Sequence, residues 1–213
     1  MKKRILCFGD SLTWGDDPAM VGHRLDDRWP VTLQKVLGTD YVVIEEGQCG
    51  RNIATDDPAE GEKNGLKYIL PCLESHSPLD LVIIMLGTND CKRKFGYSGQ
   101  DIAWEMERLL QKILTHKHFQ ALDRYGVLLM APPPINEGIH GSWLGDVFEF
   151  EVGQKKTLEL AKWYRQLAEQ YGCAFLDAAD YAQASALDGI HMDNDNQIKL
   201  GEAVAAKVRE LLK

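Results

Sequence analysis

Four short stretches of this chain carry side chains whose types suit acyl or proton transfer. Gly9-Asp10-Ser11 follows an apolar run over residues 5–8 and so puts a hydroxyl at the end of a strand. Asp188-Gly189-Ile190-His191 sets a carboxylate three residues before an imidazole. That spacing lets the carboxylate reach Nδ1 of the same ring and hold its tautomer. Gly87-Thr88-Asn89-Asp90 places an amide just after the most apolar run in the chain, residues 81–86, where Asn89 could donate to a developing oxyanion. Gly50, in the glycine-rich turn 47–52, lets backbone approach a ligand and offer an N–H. A nucleophilic serine needs a base, a group that orients the base, and donors for the oxyanion. Ser11, His191, Asp188, Asn89 and Gly50 are the residues available for those roles, and Asp10 and Trp14, either side of Ser11 in the same stretch, are candidate substrate-pocket residues.

Each stretch also has a plainer reading. Gly-Asp-Ser is an ordinary turn tripeptide, Asp188-Gly189 can be a turn, Asn89 can cap a helix or turn, and Trp14 can be a core aromatic. Of the six histidines, His116 and His118 read as solvated on a charged helix end.

The elements that would position these residues alternate along the chain. Strands are expected at the N-terminal run, at 41–44, at 80–86, at 126–130 and at 173–176. Helical spacing of apolar residues appears over 28–37, 65–75, 98–115, 154–171 and 193–212. Pro71 predicts that the helix over 65–75 is kinked or begins late. The stretches 13–27 and 45–63 read as long polar loops and 135–153 as irregular; loops of this length in a compact domain are usually functional. Alternating strands and helices predict an α/β protein with a parallel sheet in three layers. Parallel strands aim their carboxyl ends at one edge, so Ser11, Asn89 and the 188–191 stretch can converge there. The chain reads as one domain over residues 1–213.

Of 213 residues, 45% are hydrophobic and 26% charged, ordinary values for a globular protein. The net charge of −8 argues against nucleic acid or an anionic membrane surface as partner. Most of the acidic doublets at 16–17, 26–27, 45–46 and 56–57 read as solvated loops and strand ends. Five widely spaced cysteines make neither a disulfide framework nor a zinc motif. The apolar run after the basic N-terminus is too short for a signal-peptide core, and no stretch approaches a membrane span. A cytoplasmic protein is expected.

Taken in order, Gly-Asp-Ser at 9–11, the glycine after the second strand, Gly-Thr-Asn-Asp at 87–90 and Asp-x-x-His at 188–191 resemble the four sequence blocks of the SGNH (GDSL) hydrolases. Residues 3–15, 43–47 and 81–90 resemble in particular the mycobacterial arylesterase/acyltransferase group. The resemblance implies a flavodoxin-like five-stranded sheet of order 2-1-3-4-5. It implies Ser11 as nucleophile and, through its N–H, as oxyanion donor, with Gly50 and Asn89 as further donors and Asp188 and His191 completing a triad. It also implies no metal or other cofactor, and often a homo-oligomer. Residues 91–97 and 135–150 do not follow that group closely; they are expected to shape the pocket and any contacts between subunits.

The expected function is therefore a serine esterase for small, acetyl-like acyl esters, working through an acyl-enzyme that water or an alcohol resolves. The rival is a flavodoxin-like module that binds a phosphate or flavin. It is weakened because no Gly-x-Gly-x-x-Gly follows the first strand and no basic residue stands beside residues 9–11. A metal hydrolase built on Asp10, Asp188, His191 and Asp193 would rest on a weak His-x-Asp pair.

Overall fold

The computed structural model describes residues 2–116 and 126–213. Its centre is a parallel sheet of five strands: β1 (Lys3–Gly9), β2 (Tyr41–Gly47), β3 (Leu81–Met85), β4 (Gly126–Ala131) and β5 (Ala174–Asp177), in the order β2-β1-β3-β4-β5. Register is set in the middle by β1 and β3, with Ile5 opposite Leu81 and Gly9 opposite Met85. Both strands are apolar at successive positions, so the two faces of the sheet are buried alike.

Side chains alternate across a strand, and the two faces build two cores. Leu6, Phe8, Val82, Ile84 and Leu129 point to one side, where they meet α3 (Gly65–His76), α4 (Gly99–Leu114) and a long helix over Phe150–Tyr171. Ile5, Cys7, Leu81, Ile83, Met85 and Leu128 point to the other, against α2 (Trp29–Leu37) and the C-terminal helix over Asn194–Leu211. The result is the expected three-layer α/β arrangement. All five cysteines are free thiols. Among the described residues, no helix is long and apolar enough to cross a membrane.

The structure differs from the sequence expectations mainly in the loops. Residues 11–14 form a one-turn helix, α1 (Ser11–Trp14), directly after β1. The stretch read as irregular holds a 3-10 turn (Glu137–Gly141) and a short helix, α5 (Leu144–Phe148). The long helix, α6, starts at Phe150, four residues before the expected point. Glu149, at φ +54°, separates α5 from α6 and makes no side-chain cap bond, so the usual start signal is missing. Helix α3 starts at Gly65, capped by the Asn64 side chain, and contains Pro71 well inside it. The last helix, α7 (Asn194–Leu211), is capped by Asp193, whose carboxylate accepts from Asn196 N at 2.9 Å.

Two acidic doublets are not solvated as expected. Glu45 accepts from both Arg24 and Arg28. Asp57 is only 1% exposed and pairs with Lys94. His116 is half-buried and pairs with Glu74 across 3.0 Å rather than standing in solvent. His118 lies outside the described residues.

Candidate active site

The site begins where β1 runs out. A Cβ on Gly9 would lie 2.0 Å from Thr13 Oγ1 and 2.8 Å from the Met85 carbonyl oxygen, so only glycine lets α1 fold back over the strand end. Asp10 caps that helix, accepting from Leu12 N at 2.9 Å. Ser11 is thereby the first helical residue, 7% exposed. The turn closes through Thr13, Trp14 and Gly15 N–H groups, so it does not use the Ser11 N–H.

The partner residues come from the loop before α7. Gly189 sits at φ +76°, where a Cβ would strike Ile139 N at 2.2 Å. The tight turn aims Asp188 back along its own chain: Oδ1 accepts from the Ile190 and His191 N–H groups, both at 2.9 Å, while Oδ2 accepts from His191 Nδ1 at 2.6 Å. With Nδ1 donating, Nε2 is the free acceptor, and the Ser11 hydroxyl donates to it at 2.9 Å. Buried Gln197 fixes the two halves relative to each other. Its Nε2 donates to Leu12 O at 3.1 Å and its Oε1 accepts from Trp29 N at 2.8 Å, so α7 is tied to α1 and α2.

The electrostatics suit a base. Burial of Asp188 raises its pKa, but the His191 hydrogen bond and charge and two backbone N–H groups outweigh it, leaving the carboxyl below its ordinary range. For His191 burial works downward, yet the Asp188 hydrogen bond and the nearby carboxylates of Asp188, Asp16 and Asp10 win, and its pKa lies above 6.5.

Asn89 opens a 3-10 turn (Asn89–Cys91) that has no side-chain cap bond, so its amide is not spent as a cap. Nδ2 donates to Arg51 O at 3.2 Å and reaches Asp10 Oδ2 at 3.4 Å. Gly50, at φ +80°, lies in a turn closed by the Arg51 N–H on Gln48 O, while the Gln48 N–H ties the turn to Gly9 O at the end of β1. Ser11, Gly50, Asn89 and His191 all line one cavity of about 710 Å³, walled further by Asp16, Lys63, Thr88, Lys92, Trp143 and Phe148. The arrangement can deprotonate a hydroxyl at Ser11 and present donors to an oxygen that gains charge in front of it.

Two pocket candidates lie elsewhere. Asp10 is fully buried behind Ser11, where it caps α1, and burial pushes its pKa up to about 6. Trp14 does not line the cavity; its ring is covered by the Arg24 guanidinium, 5.3 Å from the centroid. Trp14 ends α1 beside β2, and the backbone there packs against Gly47.

Arg51 and Asp16 also belong to the site, though neither stands out in the sequence. Arg51 is 3% exposed, stacks 4.3 Å from Phe8, donates to Gly9 O at 2.8 Å, and lends its own carbonyl to Asn89. Asp16 Oδ2 lies 3.5 Å from His191 Nε2; its only sequence signal was its place five residues after Ser11. Asp193 is spent as a helix cap and Asp188 on His191, so the four residues of the metal reading do not form a ligand set. Among the described residues, three potential ligand atoms cluster only at Glu46, Cys72 and His76, where Glu46 and His76 already pair at 2.7 Å.

A family model described as GDSL-like Lipase/Acylhydrolase matches residues 7–206. The chain belongs to that family. Within it, the chain is 42% identical to the Mycobacterium smegmatis aryl esterase, covering 99% of this chain and 100% of that one, with a TM-score of 0.91. It is 38% identical to a carbohydrate acetylesterase from Sinorhizobium meliloti, over 99% of this chain and 100% of that one, with a TM-score of 0.92. A curated relative, an acetylxylan esterase of Xylanibacter ruminicola, is 25% identical over 97% of this chain. This chain spans only 43% of that protein's length. The GDSL-like fold and the likeness to the mycobacterial aryl esterase agree with the resemblance read from the four blocks.

Proposed function

We propose that this protein is a serine esterase that removes small acyl groups, acetyl foremost, from ester-linked alcohols. The observation that carries the reading is the unbroken run of hydrogen bonds from Asp188 through His191 to Ser11, 2.6 and 2.9 Å long, at a cavity that Gly50 and Asn89 also line. Ser11 Oγ attacks the ester carbonyl as its proton passes to His191 Nε2, and Asp188 steadies the imidazolium. The oxyanion sits among the Ser11 and Gly50 N–H groups and Asn89 Nδ2. Of the two Asn89 contacts, the one to Asp10 is the longer at 3.4 Å, so that N–H is the one offered to the oxyanion. His191 returns its proton to the departing alcohol, leaving acyl-Ser11. Water, or a second alcohol in an acyl transfer, then resolves the intermediate by the reverse route.

The acetyl preference rests on the named activities of the Sinorhizobium and Xylanibacter relatives; Trp14, outside the cavity, lends it nothing. The phosphate- or flavin-binding reading is not favoured, because it leaves the hydrogen-bonded run from Asp188 through His191 to Ser11 without a role. The test is a series of p-nitrophenyl esters from acetyl to octanoyl, run on wild type and Ser11→Ala. The reading predicts the highest kcat/KM for acetyl or propionyl and no turnover above background in the variant. A preference for octanoyl would overturn the substrate class, and an active Ser11→Ala would overturn the mechanism.

A further inference from the structure

The atom that returns a proton to the leaving alcohol is His191 Nε2, so the leaving oxygen must come within hydrogen-bond reach of it. Asp16 Oδ2 is already 3.5 Å from that nitrogen. The carboxylate is held there by its own backbone: Asp16 N donates to Ser11 O at 3.1 Å, and residue 16 forms a bridge with Arg24. Its side chain is 21% exposed and faces the cavity, and its Oδ1 is buried with no partner of ordinary hydrogen-bond geometry in the protein. The leaving oxygen and Asp16 thus share Nε2 as a neighbour.

A carboxylate in that place has opposite effects on two kinds of leaving group. An alkyl or aryl alcohol without further hydroxyls brings its developing negative charge against Asp16 with nothing between them, which is repulsive. An alcohol with a hydroxyl on the carbon next to the ester interposes an O–H, which donates to Asp16 while the ester oxygen takes the proton from Nε2. We propose that Asp16 is a specificity residue that accepts a hydrogen bond from a hydroxyl vicinal to the scissile ester, so that the site takes monoacetylated polyols in preference to simple esters. The inference rests on the reading of Ser11 and His191 given above. In the acylation step the Ser11 Oγ–carbonyl bond forms, the bond from carbonyl carbon to leaving oxygen breaks, and the Ser11 proton travels through Nε2 to that oxygen. Asp16 gains and loses no proton.

Glycerol 1-acetate and n-propyl acetate deliver the same acetyl-enzyme, so their kcat/KM values differ only through acylation. The ratio of the two, compared between wild type, Asp16→Asn and Asp16→Leu, cancels their intrinsic reactivities. Losing a hydrogen bond to a charged group should lower the ratio about 10- to 100-fold in Asp16→Leu and by a smaller factor in the near-isosteric Asp16→Asn. An unchanged ratio, with both substrates slowed alike and the acid limb of the pH profile displaced, would mean that Asp16 acts only by raising the His191 pKa, and would overturn the inference. A faster hydrolysis of glycerol acetate in either variant would also overturn it. Failure of the underlying reading looks different: Ser11→Ala would still release acetate from both esters. Asp16→Asn keeps the side chain's shape, and thermal unfolding of it separates a folding defect from a change in selectivity.

Discussion

Replacing Asn89 by Ala separates catalysis from stability more cleanly than any other change at this site. Its Nδ2 is the one proposed oxyanion donor of the three that belongs to a side chain, and it also donates to Arg51 O at 3.2 Å. Removing one preorganised donor of this kind costs ~10²–10³ in kcat, about 3–4 kcal/mol. The donor acts on charge that is fully present only in the tetrahedral state, so kcat should fall far more than KM rises. The structural cost is separate and smaller. Leaving the Arg51 carbonyl without this partner costs about 1–3 kcal/mol, and each kcal/mol lowers the Tm of a chain this size by about 2–4 °C. No cap is lost, because the turn at Asn89–Cys91 has no side-chain cap bond. Asn89→Asp should be at least as harmful, since it sets a carboxylate against the oxyanion. Steady-state kinetics on p-nitrophenyl acetate, paired with thermal unfolding, decides the matter. A Tm lowered by several degrees with kcat within a few-fold of wild type would refute the role of Asn89 and leave the oxyanion to backbone donors.

Three further outcomes follow from the same geometry. His191 must be neutral to act as base, and its pKa is held above 6.5 because the Asp188 bond and neighbouring carboxylates outweigh burial; kcat/KM should therefore fall on the acid side with an apparent pKa above that value, and a flat profile from about pH 5 to 8 would count against it. Asp188→Asn removes the acceptor that orients Nδ1 at 2.6 Å, and should lower kcat by up to ~10⁴ while moving any residual acid limb to lower pH; kinetics close to wild type would mean that the ring is held by other contacts. Gly9→Ala drives a methyl against Thr13 and the Met85 carbonyl, so it should displace α1, abolish activity and cost about 1–3 kcal/mol of stability; an unchanged Tm with normal turnover would show that the turn has room.

Much of the fold was legible because the buried strands are unambiguous. Residues 81–85 and 127–130 are apolar at every position, as strands covered on both faces must be, and parallel order makes their ends share an edge. The same logic exposed Ser11, Asn89, Asp188 and His191, since polar residues that directly follow or face such strands have few reasons to be there. What stayed hidden depends on tertiary contact rather than on local pattern. Asp16 sits in an acidic doublet of the kind usually left in solvent, and only the return of the 188–191 loop places it beside Nε2. Asp10 reads as a pocket residue until α1 is seen to need its carboxylate as a cap. Trp14 is drawn away by Arg24, which is itself paired with Glu45 on β2. Helix α5 and the first turn of α6 escaped because Glu149 joins them at positive φ without a capping bond.

The proposed chemistry stands or falls with Ser11 as the nucleophile, activated through His191. The most direct measurement is mass spectrometry of the protein treated with a fluorophosphonate, followed by peptide mapping. One adduct per chain is expected, located on Ser11, with activity lost in proportion to labelling, strongly slowed labelling in His191→Ala and none in Ser11→Ala. An adduct on any other residue, or full labelling and turnover in Ser11→Ala, would contradict that chemistry.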